Sequence, residues 1–185
     1  RVVAEVPVVD GIVDGDVWLV GGGDPLLTTS GYAARFDDPG SYTDLGDLVK
    51  GLPGVGVREI TGGIVGDESR YDAIRYLGTW PDRFKPGWSI QSGPLSALSV
   101  DDGFEKWDPV NTAPSLSVPA DDPAANAASL LDDLLEVEGV VIRRRPDSGR
   151  SPAHPGMVTL VEVASPPVSL RSEEHTSELQ SRETI

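Results

Sequence analysis

The alternation of apolar and polar positions divides the chain into short strand-like runs and two helical ones. Val2 to Val9 and Asp16 to Val20 are valine-rich, and Asp10-Gly11 and Asp14-Gly15 supply turn chemistry beside them, so both runs are expected to be strands. Gly21-Gly22-Gly23-Asp24-Pro25 ends the second run. Ser41 and Asp44 stand at capping-box spacing, with Asp in place of Glu or Gln. They predict a short helix through Leu45, Leu48 and Val49 that stops around Gly51 and Pro53. Val57 to Ile60 and Ile64 to Val65 read as strand segments broken by Gly62-Gly63. Gly78 to Pro94 carries Trp80, Phe84 and Trp88 among Pro and Gly, which predicts a packed irregular loop. Residues 108–123 hold four prolines and no helical period, and read as a connection.

The strongest helical signal covers 123–138. Asp122 is a good N-cap, and Pro123 falls at the first helical position, where its missing N–H costs nothing. Ala127, Leu130, Leu131, Leu134 and Leu135 form one face at spacings of three and four, with Asp132, Asp133 and Glu136 opposite. Gly139 is placed for a left-handed cap. Val140 to Ile142 and Met157 to Ala164 follow as strands, and the expected class is α/β in the broad sense, a mixed α+β fold.

Composition narrows the function. The 185 residues suffice for one medium domain or parts of two, and 38% apolar with 24% charged residues is ordinary for a folded globular chain. A net charge of −15 argues against a nucleic-acid partner, because phosphates are held by clustered Lys and Arg. The basic run Arg143-Arg144-Arg145 before Pro146 reads as a solvated turn. Without cysteine there are no disulfides, thiolate metal sites or cysteine nucleophiles. No apolar run approaches the roughly 20 residues that span a bilayer. The chain opens at Arg1, already inside an apolar segment, so its natural start is expected upstream and the lack of a signal peptide says nothing about export.

Individual motifs carry no chemistry. The glycines at 21–23 fail the dinucleotide fingerprint because Leu26 takes the last glycine position, and no Gly-Lys-Ser/Thr makes a phosphate loop; backbone turning is the expected role. Asp67, Glu68 and Asp72 have no nearby histidine to complete a transition-metal site. His154 lies in a turn-like segment, with no G-x-S-x-G elbow anywhere to make it a triad member. Asp101-Asp102-Gly103 lacks the later ligands of a calcium loop. No residue is assigned a catalytic, metal or cofactor-binding role, and no cofactor is called for.

The resemblance comes from longer segments. Gly15-Asp16-Val17-Trp18-Leu19-Val20-Gly21-Gly22-Gly23-Asp24-Pro25, the stretch Val57 to Asp72 with Gly66-Asp67-Glu68-Ser69-Arg70-Tyr71-Asp72, and Gly93-Pro94-Leu95-Ser96-Ala97-Leu98-Ser99-Val100-Asp101-Asp102-Gly103 occur in that order. Asp101 stands where Asn is commoner. Together with Asp122-Pro123 and Val163-Ala164-Ser165-Pro166-Pro167, they resemble the stretch between the first and second catalytic motifs of D-alanyl-D-alanine carboxypeptidases of the penicillin-binding protein 4 type. The resemblance covers residues 1–170. It implies peptidoglycan stem peptides and β-lactams as partners of the whole enzyme, and an extracytoplasmic place of action.

That family acylates a serine in S-x-x-K, with S-x-N and K-T-G completing the site. Here Lys50, Lys85 and Lys106 follow Asp47, Asp82 and Gly103 at that spacing, no Ser precedes Asn by two positions, and no Lys precedes Thr-Gly. All three motifs are absent, so the polypeptide is expected to be an inactive piece, with the nucleophile upstream of Arg1 and S-x-N just beyond Pro167. By analogy, 1–7 are the edge of the catalytic domain, 8–105 inserted α/β material, and 106–170 the return with its helix. Residues 171–181, Arg171-Ser172-Glu173-Glu174-His175-Thr176-Ser177-Glu178-Leu179-Gln180-Ser181, resemble a translated sequencing adapter, so 171–185 are expected to be an artefactual tail without a fixed fold. The tail holds two Arg and four Glu, which leaves the remaining chain at −15 + 2 = −13 and still acidic. The alternative reading is a noncatalytic extracytoplasmic binding or structural module; an S-x-x-K motif in the reading frame upstream separates the two.

Overall fold

Runs of Val and Ile too short to stand alone are stable here because they assemble edge to edge under two helices. The computed structural model describes residues 1–35, 42–86, 92–109, 117–153 and 155–165. In chain order the strands and helices are β1 (Val2–Ala4), β2 (Ile12–Val13), β3 (Val17–Val20), β4 (Leu27–Thr28), α1 (Ser30–Ala33), β5 (Thr43–Asp44), α2 (Leu45–Gly54), β6 (Glu59–Ile60), β7 (Ile64–Asp67), β8 (Phe104–Lys106), β9 (Val118–Pro119), α3 (Pro123–Val137), β10 (Val141–Ile142), β11 (Asp147–Ser148) and β12 (Val158–Val161). The fold is mixed α+β, as the alternating pattern predicts.

The main sheet has the order β11-β7-β3-β1-β12. β1 runs antiparallel to both neighbours, with Val2 opposite Leu19 and Val161, whereas β3, β7 and β11 are mutually parallel. A smaller parallel sheet, β10-β6-β2, lies beside it. The two segments flanking Gly62-Gly63 therefore belong to different sheets. The glycines let the chain cross between them: Gly62 N–H donates to Gly15 O and Gly63 N–H to an Asp16 carboxylate oxygen, both at 2.9 Å.

Helix α3 covers the sheet. Its Ala124, Ala127, Ala128, Leu131 and Leu135 join Val2, Ala4, Val17, Leu19 and Ile64 in one core. Its first turn lies directly on β7, where a side chain at Gly66 would collide with the Ala124 carbonyl. Asp122 accepts the Ala125 N–H at 3.0 Å, and its other oxygen accepts Ser148 Oγ at 2.5 Å, so one carboxylate caps α3 and ties it to β11. Burial pushes this carboxyl up, but the hydrogen bonds from Ser148, Ala125 and Ala124 outweigh that and hold it low. Gly139 ends the helix at φ +85°. The core runs across positions 8 and 106 without a break, since Val2 and Ala4 pack with Leu98 and Leu131.

Several expectations change in detail. The first run is a strand only over Val2–Ala4, with Val9 and Ile12 meeting again as an isolated bridge; Pro7 between them has no N–H to continue a ladder. The cap of α2 is Asp44, which accepts Gly46 N–H at 2.8 Å, while Ser41 lies outside the described residues. Gly51 does not stop α2, which continues through Pro53 to Gly54. That glycine lets the helix approach β12, since a Cβ there would sit 2.5 Å from Val161 Cγ1. Asp132 is not on the solvent face: it is 9% exposed, its Oδ1 meets no donor among the described residues, and burial, with Glu136 and Asp133 nearby, pushes its carboxyl up to about 6. His154 and residues 166–185, including the adapter-like tail, lie outside the described residues.

Candidate functional site

Strand β3 leaves the sheet through the three glycines, and the way it does so brings the motif segments together. Gly21 N–H donates to Asp67 O and Gly23 N–H to Ala97 O, both at 2.9 Å. Gly21 is buried, and a Cβ there would overlap the Ala97 carbonyl and come within 2.7 Å of Leu98 Cβ. Gly23 adopts φ +81°, with the Tyr71 ring against it. Gly22 is exposed with open space around it, so the constraint falls on its two neighbours. Asp24 closes the turn, accepting Leu26 N–H at 3.0 Å and Thr43 Oγ1 at 2.5 Å. A structural turn was expected, and a structural turn is found.

The second segment leaves β7 through two adjacent carboxylates with separate duties. Asp67, 3% exposed, accepts Ser69 N–H at 2.8 Å on one oxygen and Ser151 N–H and Oγ at 2.8 and 2.5 Å on the other. Burial alone would raise its pKa; the hydrogen bonds from Ser151 and Ser69 prevail and lower it. Glu68 takes a two-pronged ion pair from Arg75, at 2.6 and 2.5 Å, and a bond from Ser96 Oγ. Arg75, first, and Ser96 hold Glu68 below the usual carboxylate range against its burial. Asp72 bonds the Ile74 N–H. Each of these acids is occupied separately. Among the described residues no group of three His, Cys, Asp or Glu is arranged to hold a metal.

The third segment ends in a left-handed turn: Asp101, Asp102 and Gly103 have φ of 54°, 55° and 75°. Two consecutive non-glycine residues there cost about 1–2 kcal/mol each, so the turn needs external support. Asp101, 2% exposed, accepts Thr28 Oγ1 and Thr29 N–H at 2.7 Å and Thr29 Oγ1 at 2.9 Å, while Asp102 accepts Tyr32 O–H at 2.6 Å. Gly93 lies against the Asp102 carbonyl, where a side chain would collide. The sequence marks 101–103 only as a failed calcium loop; it gives no sign that Asp101 is a buried hub, because its partners are about seventy positions away.

Between the glycine loop and the 97–99 segment lies a cavity of about 330 Å³, with Arg1, Leu48, Arg70, Ser99 and Glu162 among its lining residues. It lies where β3 and β7 run out in parallel, the end of such strands at which ligands commonly bind. Thr43, Ser99 and Ser165 are the hydroxyls on its wall among the described residues, and no lysine or histidine there lines it. Lys50 is exposed on α2, Lys85 bonds Gly78 O, and Lys106 lies 3.7 Å from Glu105. These surroundings offer an oxyanion or substrate two arginine side chains and a rigid wall, with Asp24 and Glu162 as the acids on it and neither lysine nor histidine among the described residues that line it.

The wall defines the class. All three segments come from a peptidase scaffold: the model of the D-Ala-D-Ala carboxypeptidase 3 (S13) family matches residues 1–114, which includes every one of them. The chain belongs to that family of hydrolases. No curated protein gives a significant match.

Proposed function

We propose that this polypeptide is the scaffolding part of a serine-type D-Ala-D-Ala carboxypeptidase of the penicillin-binding protein 4 type, and that by itself it hydrolyses nothing. The observation that carries this reading is a contrast. The glycine loop, the Asp67–Asp72 segment and the 93–103 segment converge on one cavity, yet the sequence contains no S-x-x-K, S-x-N or K-T-G. Acyl transfer needs an activated hydroxyl, a proton acceptor and an oxyanion hole. Among the described residues neither Ser99 nor Ser165 has a lysine or histidine along this wall. In the whole enzyme, peptidoglycan stem peptides and β-lactams are the ligands, and an extracytoplasmic location follows from that substrate.

Incubation with a fluorescent penicillin followed by denaturing electrophoresis is the direct test. No labelled band is expected, and a band suppressed by unlabelled penicillin refutes the inactivity. The coding frame tests the rest: S-x-x-K is expected upstream of Arg1 and S-x-N downstream of Pro167. A frame that encodes neither leaves the noncatalytic-module reading standing in its place.

A further inference from the structure

Four arginines of this acidic chain are tied to a carboxylate or a carbonyl: Arg75 pairs with Glu68, Arg143 with Glu59 and Arg144 with Asp16, and Arg58 bonds the Asp10 carbonyl. Arg70 and Arg150 differ. Neither has a hydrogen-bond or ion-pair partner among the described residues, and Arg70 has only the Tyr71 ring 5.9 Å away. Both line one concavity of about 570 Å³, together with Arg1. In a chain with thirty Asp and Glu against fifteen Lys and Arg, three arginines lining one hollow is an uneven distribution of charge.

One buried carboxylate places both unpaired arginines. Asp67 accepts the N–H of Ser69, the residue before Arg70, and the N–H and hydroxyl of Ser151, the residue after Arg150. The Gly149 N–H bond to Gly66 O, at 2.9 Å, fixes the second segment to β7. Among the described residues Asp67 is the only acid lining the hollow, and its oxygens accept these three bonds, so it fixes the backbone beside both arginines and pairs with neither guanidinium. These bonds fix the two stretches of backbone from which the exposed side chains of Arg70 and Arg150 project, so both line the same hollow.

We propose that this concavity is an oxyanion-binding site, taking a multivalent carboxylate or phosphate between Arg70 and Arg150, with Arg1 at its rim. Planar guanidinium forks suit both anions, each with two parallel hydrogen bonds. The hollow shares Arg1 and Arg70 with the cavity beside the glycine loop, but the proposal does not depend on the peptidase reading.

Calorimetric titration of the full 185-residue chain at low ionic strength, with triglutamate and with tripolyphosphate as probes, tests it. One equivalent is expected to bind; the tighter probe identifies carboxylate or phosphate as the source. Arg70→Gln and Arg150→Gln are each expected to weaken binding about tenfold or more, the loss of a charge-assisted fork. Arg150→Lys, which keeps the charge and loses the fork, is expected to fall between. Arg145→Gln, on an exposed arginine outside the hollow, is expected to change nothing. Unchanged melting temperatures without ligand show that the variants fold. Absence of binding to both probes overturns the proposal, and so does a loss that Arg145→Gln reproduces.

Discussion

The three glycines of the loop after β3 look equivalent in sequence, and the structure predicts that alanine at each has a different sign or size of effect. At Gly21 a Cβ would sit 2.5 Å from the Ala97 carbonyl carbon and 2.7 Å from Leu98 Cβ, where ordinary contact begins near 3.4 Å. About 1 Å of movement is therefore needed, between backbones that the Gly21–Asp67 and Gly23–Ala97 hydrogen bonds hold in register. Overpacking of this kind costs about 1–3 kcal/mol, and the upper half is expected because the obstacle is main chain. Gly23→Ala instead meets the left-handed penalty of about 1–2 kcal/mol, with the exposed Tyr71 ring free to swing aside. Gly22→Ala has open space and no positive φ, so it is expected to be neutral or to stabilise by up to about 1 kcal/mol through the unfolded chain. Urea unfolding followed by tryptophan fluorescence measures the order. With a slope of about 1–3 kcal/mol per molar, the midpoints of Gly21→Ala and Gly22→Ala should differ by about 1 M or more. A Gly22→Ala variant less stable than Gly21→Ala refutes the packing argument.

Asp132 has a raised folded pKa, so it favours the folded state when protonated and opposes it once ionised: stability is expected to fall as pH rises from about 4 through about 6. Two units would be about 3 kcal/mol; at the margin of a helix face, where water still screens, about 1 kcal/mol is expected, and Asp132→Asn should flatten the slope of denaturant midpoints between pH 4 and 7. Asp67 has a lowered folded pKa and the opposite sign: its contribution is present above its unfolded pKa and is lost as pH falls through the folded one. Asp67→Ala should cost about 2–3 kcal/mol at pH 7 and progressively less in acid, read by the same titration. Arg75→Lys keeps the charge beside Glu68 but loses the two-pronged geometry, so a loss of about 1 kcal/mol is expected in thermal melts. Deleting residues 171–185 should leave the melting temperature unchanged, and a clear drop shows that the tail packs.

What was legible in the sequence is what is decided locally. Asp122-Pro123 and Gly139 bracket α3 because caps act within a turn of the helix end, and the observed Pro123–Val137 differs from the expected range by one residue. The structural role of Gly21 to Pro25 follows from the same local logic. The helix through Leu45 ends at Gly54, one residue past Pro53, but the close approach at Gly51 was not legible, because β12 lies more than a hundred positions later. Asp132 looked solvent-facing because Asp133 and Glu136 share its polarity, yet the buried strip extends round the helix from Ala128 to reach it. The Arg70–Arg150 hollow could not be found by any local rule. Its two sides are eighty positions apart and meet through the parallel pairing of β7 with β11.

The same reasoning explains how a chain without S-x-x-K, S-x-N or K-T-G can carry so specific a family signature. The segments that identify it contain glycines where backbones touch: Gly21 on Ala97, Gly66 on Ala124 and Gly93 on Asp102. They also contain short acids whose oxygens hold turns in shape: Asp24 at Leu26, Asp67 at Ser69 and Ser151, and Asp101 at Thr29. The glycines are constrained because any Cβ there collides, and the acids act through short oxygens aimed at neighbouring backbone. A pattern of this kind is set by main-chain geometry, so it persists in any piece that retains the three loops, whether or not the nucleophile is present. For such a chain, recognising the family and recognising an active site are separate inferences. Here the glycines and the turn-holding acids support the first, and the missing S-x-x-K governs the second.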